Sequence, residues 1–151
     1  MDKKRLTKIL AKADRRIVAS LSADIQKKYR PVIVKGPQKT LAMIKMREPV
    51  KNSLFYLGEV IVCEATAEID GVSGVAVFMG DDAEKTLDMA IIDAAVNRGV
   101  FSAEEKLSEL EKEQNDLVMQ ENAMYLKTTV NFESMDREAP NDLNAFKKAQ
   151  L

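Results

Sequence analysis

Few side chains in this 151-residue sequence are equipped for covalent chemistry. There is no His and a single Cys, Cys63. Imidazole bases, His metal sites and every Ser-His-Asp or Cys-His relay are therefore excluded within the chain. Cys63 falls at an inward position of an alternating apolar stretch. That position predicts a buried, inert thiol, since a nucleophilic thiolate needs a polar, partly exposed setting. Asp81, Asp82, Glu84 and Asp88 form an acidic group whose oxygens suit a hard cation in principle, but helix capping and solvation account for the same residues. Gly71, Gly74 and Gly80 do not reproduce GxGxxG, and no GK[ST] follows them, so there is no phosphate-loop signature. Lys35, Lys39, Lys45 and Arg47 gather in one predicted hairpin. Their cations can meet an oxyanion or a partner, or serve as ordinary surface charge. No catalytic residue, metal site or chain-bound cofactor is assigned.

These residues need elements to position them. Leu6, Ile9, Leu10, Ala13, Ile17, Val18, Leu21 and Ile25 recur at three- and four-residue steps, which predicts a basic helical N-terminus over 3–28. Asp14 is placed to cap a second helix, so the region is one long helix or two short ones. Val32–Val34 and Leu41–Met46 read as two strands separated by a turn at Lys35-Gly36-Pro37-Gln38-Lys39. After a polar loop from Arg47 to Asn52 comes the strongest strand signal. In it Ile61, Cys63, Ala65, Ala67 and Ile69 alternate with Val62, Glu64, Thr66 and Glu68. Leu57–Val62 is apolar on both faces, as in a strand covered on two sides. Asp70-Gly71 predicts a tight turn into a further strand, Gly74–Met79. The expected class is α+β, with a four-stranded, mainly antiparallel sheet over 32–79. Helices follow over 82–98, where either Asp81 or Asp82 can cap and Glu84 lies three after Asp81 as in a capping box, and over 103–129, opened by a box at Ser102–Glu105. The 103–129 helix carries a heptad-like seam of Leu107, Leu110, Leu117 and Met124, interrupted by Gln114 and Glu121. The tail, 131–151, loses periodicity. The whole reads as a single unit, 1–151.

Composition narrows the classes. Hydrophobic residues make up 46% and charged residues 31%, as in a globular protein. No apolar run approaches the ~20 residues of a membrane span, and the lack of a second Cys points to the reducing cytoplasm. The net charge of −1 conceals an asymmetry: residues 1–51 are strongly basic and residues 52–151 strongly acidic. Such a split fits polyanion binding by the basic part, or one half pairing with the other within a chain or across a dimer. No Arg- and aromatic-rich motif accompanies it, so nucleic acid is not expected as a partner.

From about Val32 to Arg98 the chain resembles the PhnG family. Phe55-Tyr56-Leu57-Gly58-Glu59-Val60 is similar to that family's FNLGE segment. Asp70-Gly71-Val72-Ser73-Gly74 stands at its Gly-x-x-Gly turn, and Phe78-Met79-Gly80-Asp81-Asp82 at its LGRD segment. Ala90-Ile91-Ile92-Asp93-Ala94 resembles its A-L-x-D-A helix. Met43–Arg47 fits its strand ending in Arg, and Leu10–Ala13 its N-terminal helix. The family-motif positions are thus Phe55, Gly58, Glu59, Gly71, Gly74, Gly80 and Asp93. Order and spacing carry the likeness more than any single motif.

The resemblance implies a subunit of the carbon–phosphorus lyase core complex, assembled with PhnI-, PhnH- and PhnJ-type subunits. It implies a transferase in which a phosphonate displaces adenine from ribose C1 of MgATP, the complex's substrate, with this chain in an accessory role. Glu64, Val75 and Asp81 depart from residues common in relatives, where Arg, His and Arg stand. Two other readings stay open. One is a homodimeric scaffold braced by the 103–127 helix; the other is a polyanion binder using the basic half. Self-association is expected, from the apolar surplus and the opposed charges of the two halves.

Overall fold

The computed structural model describes residues 2–130. In chain order it comprises α1 (Lys3–Lys12), α2 (Arg15–Lys28), β1 (Val32–Arg47), β2 (Leu54–Ile69), β3 (Val72–Met79), α3 (Ala83–Arg98) and α4 (Glu104–Leu126). The chain parts into a body ending at Asp116 and a segment beginning at Leu117. The expected tail over 131–151 lies outside the described residues.

The basic N-terminus is two helices. Asp14 breaks the run with extended backbone and caps α2 by accepting from the Arg16 amide at 2.8 Å. The joint is closed from across the fold. The buried Lys85 ammonium donates to the carbonyls of Ala11, at 2.8 Å, and Ala13, at 2.9 Å, satisfying acceptors that α1 leaves unpaired at its C-terminus. The same Nζ lies 4.6 Å from the centre of the Phe78 ring. Burial pushes the Lys85 pKa below that of an ordinary lysine, against the pull of Asp82 and Asp14.

The sheet has three antiparallel strands in the order β1-β2-β3, not four. The α+β class holds, but the two expected N-terminal strands are one. Lys35–Lys39 does not turn the chain. Pairing steps from Ile33–Ala67 to Lys35–Thr66 and then to Gln38–Glu64, so β1 takes one extra residue at each step. Gly36 and Pro37 sit in these bulges on an edge strand, where Pro interrupts no ladder on its outer side. The reversal falls instead between Arg47 and Leu54. The β2–β3 turn is as expected, with positive φ at both Asp70 (49°) and Gly71 (83°), the signature of a type I′ hairpin.

Helix α3 lies on β2 and β3 and beneath α1 and α2. It is buried on nearly all sides, with Met89–Ala95 continuously covered, because it separates the sheet from the N-terminal helices. Contact with β3 is close at Gly74, where an added Cβ would fall on the Ala94 amide and the Ala90 carbonyl. Of the two candidate caps for α3 it is Asp82 that serves, accepting from the Lys85 amide at 3.0 Å, and Asp81 does not cap. Gly99, at φ 77°, ends the helix in the left-handed region. α4 opens at the Ala103 carbonyl, which accepts from the Leu107 amide at 3.3 Å, and Ser102 stands one residue before the capping position. Leu107 completes the core and Leu110 packs against it. Gln114 caps the account of α1 by donating to the Ile9 carbonyl at 3.0 Å.

Of the eight ion pairs among the described residues, six join the basic first 51 residues to the acidic remainder: Lys3–Asp93, Arg5–Glu111, Arg15 with both Asp82 and Glu84, Lys35–Glu64 and Lys39–Asp81. The charge asymmetry is thus answered in part inside the chain, by Lys3, Arg5, Arg15, Lys35 and Lys39.

Candidate functional site

The site begins at a hairpin tip. The Glu48 amide donates to the Ser53 carbonyl at 3.0 Å, and the Glu48 carboxylate accepts from the amides of Val50 and Lys51 at 2.8 and 2.9 Å. Asn52 adopts φ 56°, and Arg47 Nη1 donates to its carbonyl at 3.1 Å. A turn pinned in this way starts the long pairing of β1 with β2.

β3 covers only the inner part of that pairing. It pairs with β2 from Val62 to Ile69, and its end is marked by the Gly80 amide donating to the Ile61 carbonyl at 3.0 Å. Beyond Ile61 the two strands continue alone, from Leu41–Ile61 to Arg47–Leu54. At ~3.3 Å per residue this makes a ribbon of roughly 20–25 Å.

The ribbon is apolar and uncovered. Leu41, Met43, Met46, Leu54, Phe55, Tyr56, Leu57 and Ile61 are all exposed, Leu41 and Tyr56 to 60%. Alternation places them on both faces. Directly paired residues share a face, so Leu41 goes with Ile61, and Phe55 with Met46. Their neighbours Val60, Leu54 and Tyr56 face the other way. A register step at Ile44–Lys45 admits Leu57 as the extra residue. Ile61 was expected inside with Cys63, Ala65, Ala67 and Ile69. Those four are buried, but Ile61 is 56% exposed, because β3 and the helices end one residue short of it.

The structure divides the sequence-derived site residues. Phe55, Gly58, Glu59, Lys45 and Arg47 come together on the ribbon, with Lys45 Nζ 5.7 Å from the centre of the Tyr56 ring. The other positions build the body. Gly71 makes the turn, Gly74 admits α3, and Gly80, at φ 119°, ends β3. Asp93 is buried and joins three elements. Its Oδ2 accepts from the Val75 amide at 2.9 Å and from Asn97 Nδ2 at 3.3 Å, and pairs with Lys3 at 2.9 Å. Lys35 pairs with Glu64 on the inner sheet. The departures follow the same logic. Glu64 is matched by Lys35 and Asp81 by Lys39, at 3.1 Å for the latter, while Val75 is half-exposed on the face that Glu64 shares.

Cys63 is buried and so closed to solvent. The acidic residues have separate tasks: Asp82 caps, Glu84 and Asp81 pair with Arg15 and Lys39, and Asp88 lies beside Ser22. Burial holds the Asp88 pKa above the ordinary aspartate value despite the Ser22 hydroxyl and Arg15. At the surface, Arg5 holds the Glu111 carboxyl below its usual range. A cleft of about 400 Å³ lies between the end of α2 and the α3–α4 connection, lined by apolar Leu21, Ile25, Tyr29 and Phe101 and by Lys27, Lys28 and Lys106 with Asp24 and Glu105. No described helix is long and apolar enough to cross a membrane.

The family model of PhnG, described as phosphonate metabolism protein PhnG, matches residues 1–138. The chain belongs to the PhnG family. It is a phosphonate metabolism protein by that membership. Phe55, Gly58 and Glu59, which the sequence resemblance singled out, fall on the ribbon. A search of curated proteins returns no match. Sequence reasoning missed Leu41, Met43, Tyr56 and Ile61 as a surface. The signal was the two-faced apolar run at Leu57–Val62, which reads equally as a strand covered twice.

Proposed function

We propose that this chain is a non-catalytic subunit of a phosphonate-processing complex, held there by contacts with PhnI-, PhnH- and PhnJ-type subunits. In the reaction of that complex a phosphonate oxygen forms a bond to ribose C1 of MgATP, the C1–N bond to adenine breaks, and adenine leaves. The product is a ribose 1-phosphonate 5-triphosphate. The larger subunits own the reacting groups, and this chain supplies surface and support. The observation that carries the reading is the ribbon. Soluble monomers rarely expose contiguous apolar surface on this scale, and such surface marks an interaction site. Membership of the PhnG family supplies the metabolic setting.

The test is reconstitution. The pure chain with MgATP and methylphosphonate is expected to release no adenine, and adding it to the other subunits is expected to restore release they lack without it. Adenine release by the pure chain, abolished by a point substitution in it, would overturn the accessory role.

A further inference from the structure

Resting on the subunit reading, we infer that the ribbon inserts into an apolar cleft, rimmed by Asp and Glu side chains, on a different polypeptide of the assembly. Shape argues for a cleft. By the pairing, Leu41, Ile61, Tyr56 and Leu54 lie on one side of the ribbon and Met46 and Phe55 on the other with the half-buried Val60, so a flat partner would leave one set wet. Among the described residues, the outer edge of β1, and that of β2 from Leu54 to Val60, face no other strand. A cleft with walls on both sides also shields these edges from unwanted pairing.

Charge argues for the sign of the rim. The ribbon and its tip carry Lys45, Arg47 and Lys51 against Glu48 and Glu59. Glu48 is turned inward on the tip amides, and none of the three cations forms an ion pair among the described residues. On the ribbon and its tip the three cations outnumber Glu48 and Glu59, and no described carboxylate of the body reaches them. A second copy fits less well. Ribbon against ribbon would gather cations at the two-fold axis, and the cleft of the body carries Lys27, Lys28 and Lys106 against Asp24 and Glu105, with Asp24 already paired to Lys27, so it offers no acidic rim.

The experiment is co-expression of the tagged full-length chain with the larger subunits of its native assembly, comparing wild type with Leu41→Asp, Tyr56→Asp, Lys45→Glu/Arg47→Glu and the body control Lys27→Glu/Lys28→Glu. Far-UV circular dichroism confirms that each variant is folded, as expected for exposed positions. The expected result is capture by wild type and the control, at least a hundredfold loss for either Asp variant, and a charge variant whose weaker capture no longer falls as salt rises. Wild-type capture by all folded variants would overturn the ribbon inference and leave the subunit reading standing. No capture by wild type would overturn both. A lone-chain dimer broken by Leu41→Asp or Tyr56→Asp would make the occupant a second copy and overturn the assignment of a different polypeptide.

Discussion

Gly74 shows how a motif position can matter without touching a ligand. Its missing side chain is what lets β3 meet the α3 backbone, and Asp93, one residue from Ala94, fastens the same contact through the Val75 amide. Gly74→Ala should therefore cost about 3 kcal/mol, the upper range for overpacking, because the obstacle is backbone and has no rotamer to change. Urea denaturation measures this, and a loss below about 1 kcal/mol would mean that α3 can shift freely. Of the motif residues, those on the body were recognisable from sequence only as positions. Nothing in Gly74 or Asp93 alone says that one is the gap and the other the clasp, since both roles depend on a helix that follows in sequence. Cys63 was more legible, because strand alternation fixes a face wherever that face is covered.

At the scale of elements, the helices were readable and the strand count was not. Asp14 and Gly99 act locally, so their capping roles follow from neighbours in sequence. Lys35–Lys39 has turn composition, yet whether Gly-Pro reverses a chain or swells a bulge depends on what pairs beside it, and β2 lies up to 34 residues onward. The apolar run at Leu57–Val62 was ambiguous for a related reason: periodicity shows which faces are apolar, not what covers them. The joint between α1 and α2 was equally hidden, since its fastening comes from Lys85, more than 70 residues away. Lys85→Met keeps much of the apolar stem but leaves the Ala11 and Ala13 carbonyls without that donor. A loss of roughly 2 kcal/mol is expected, allowing for relief of the buried charge. It would be read from the thermal midpoint; an unchanged midpoint would show that water replaces the ammonium without cost.

For the whole molecule, the ion pairs between the basic and acidic parts answer some of the uneven charge, and exposed pairs contribute only about 0–1 kcal/mol each. The apolar surplus lies elsewhere, on the ribbon and on α4, where Leu107 is buried but Leu117 and Met124 of the same spacing are exposed. The chain purified alone is expected to sediment as dimers or larger species at micromolar concentration, and Leu117→Lys with Met124→Lys should reduce them. A wild-type monomer would count against that seam as a contact surface. The pairing of Gln114 with Ile9 across 105 residues has a further consequence, for the protein as it is made. α1 leaves the ribosome before α3 and α4, whose Ala90, Ile91, Ile92 and Leu107 share one buried core with Leu6, Ile9 and Leu10. At ~5–20 residues per second, that stretch of synthesis lasts roughly 5–20 s. Throughout it the apolar face of α1 lacks these later core partners and stays open to chaperones, so of these elements the one made earliest is completed only when the latest arrives.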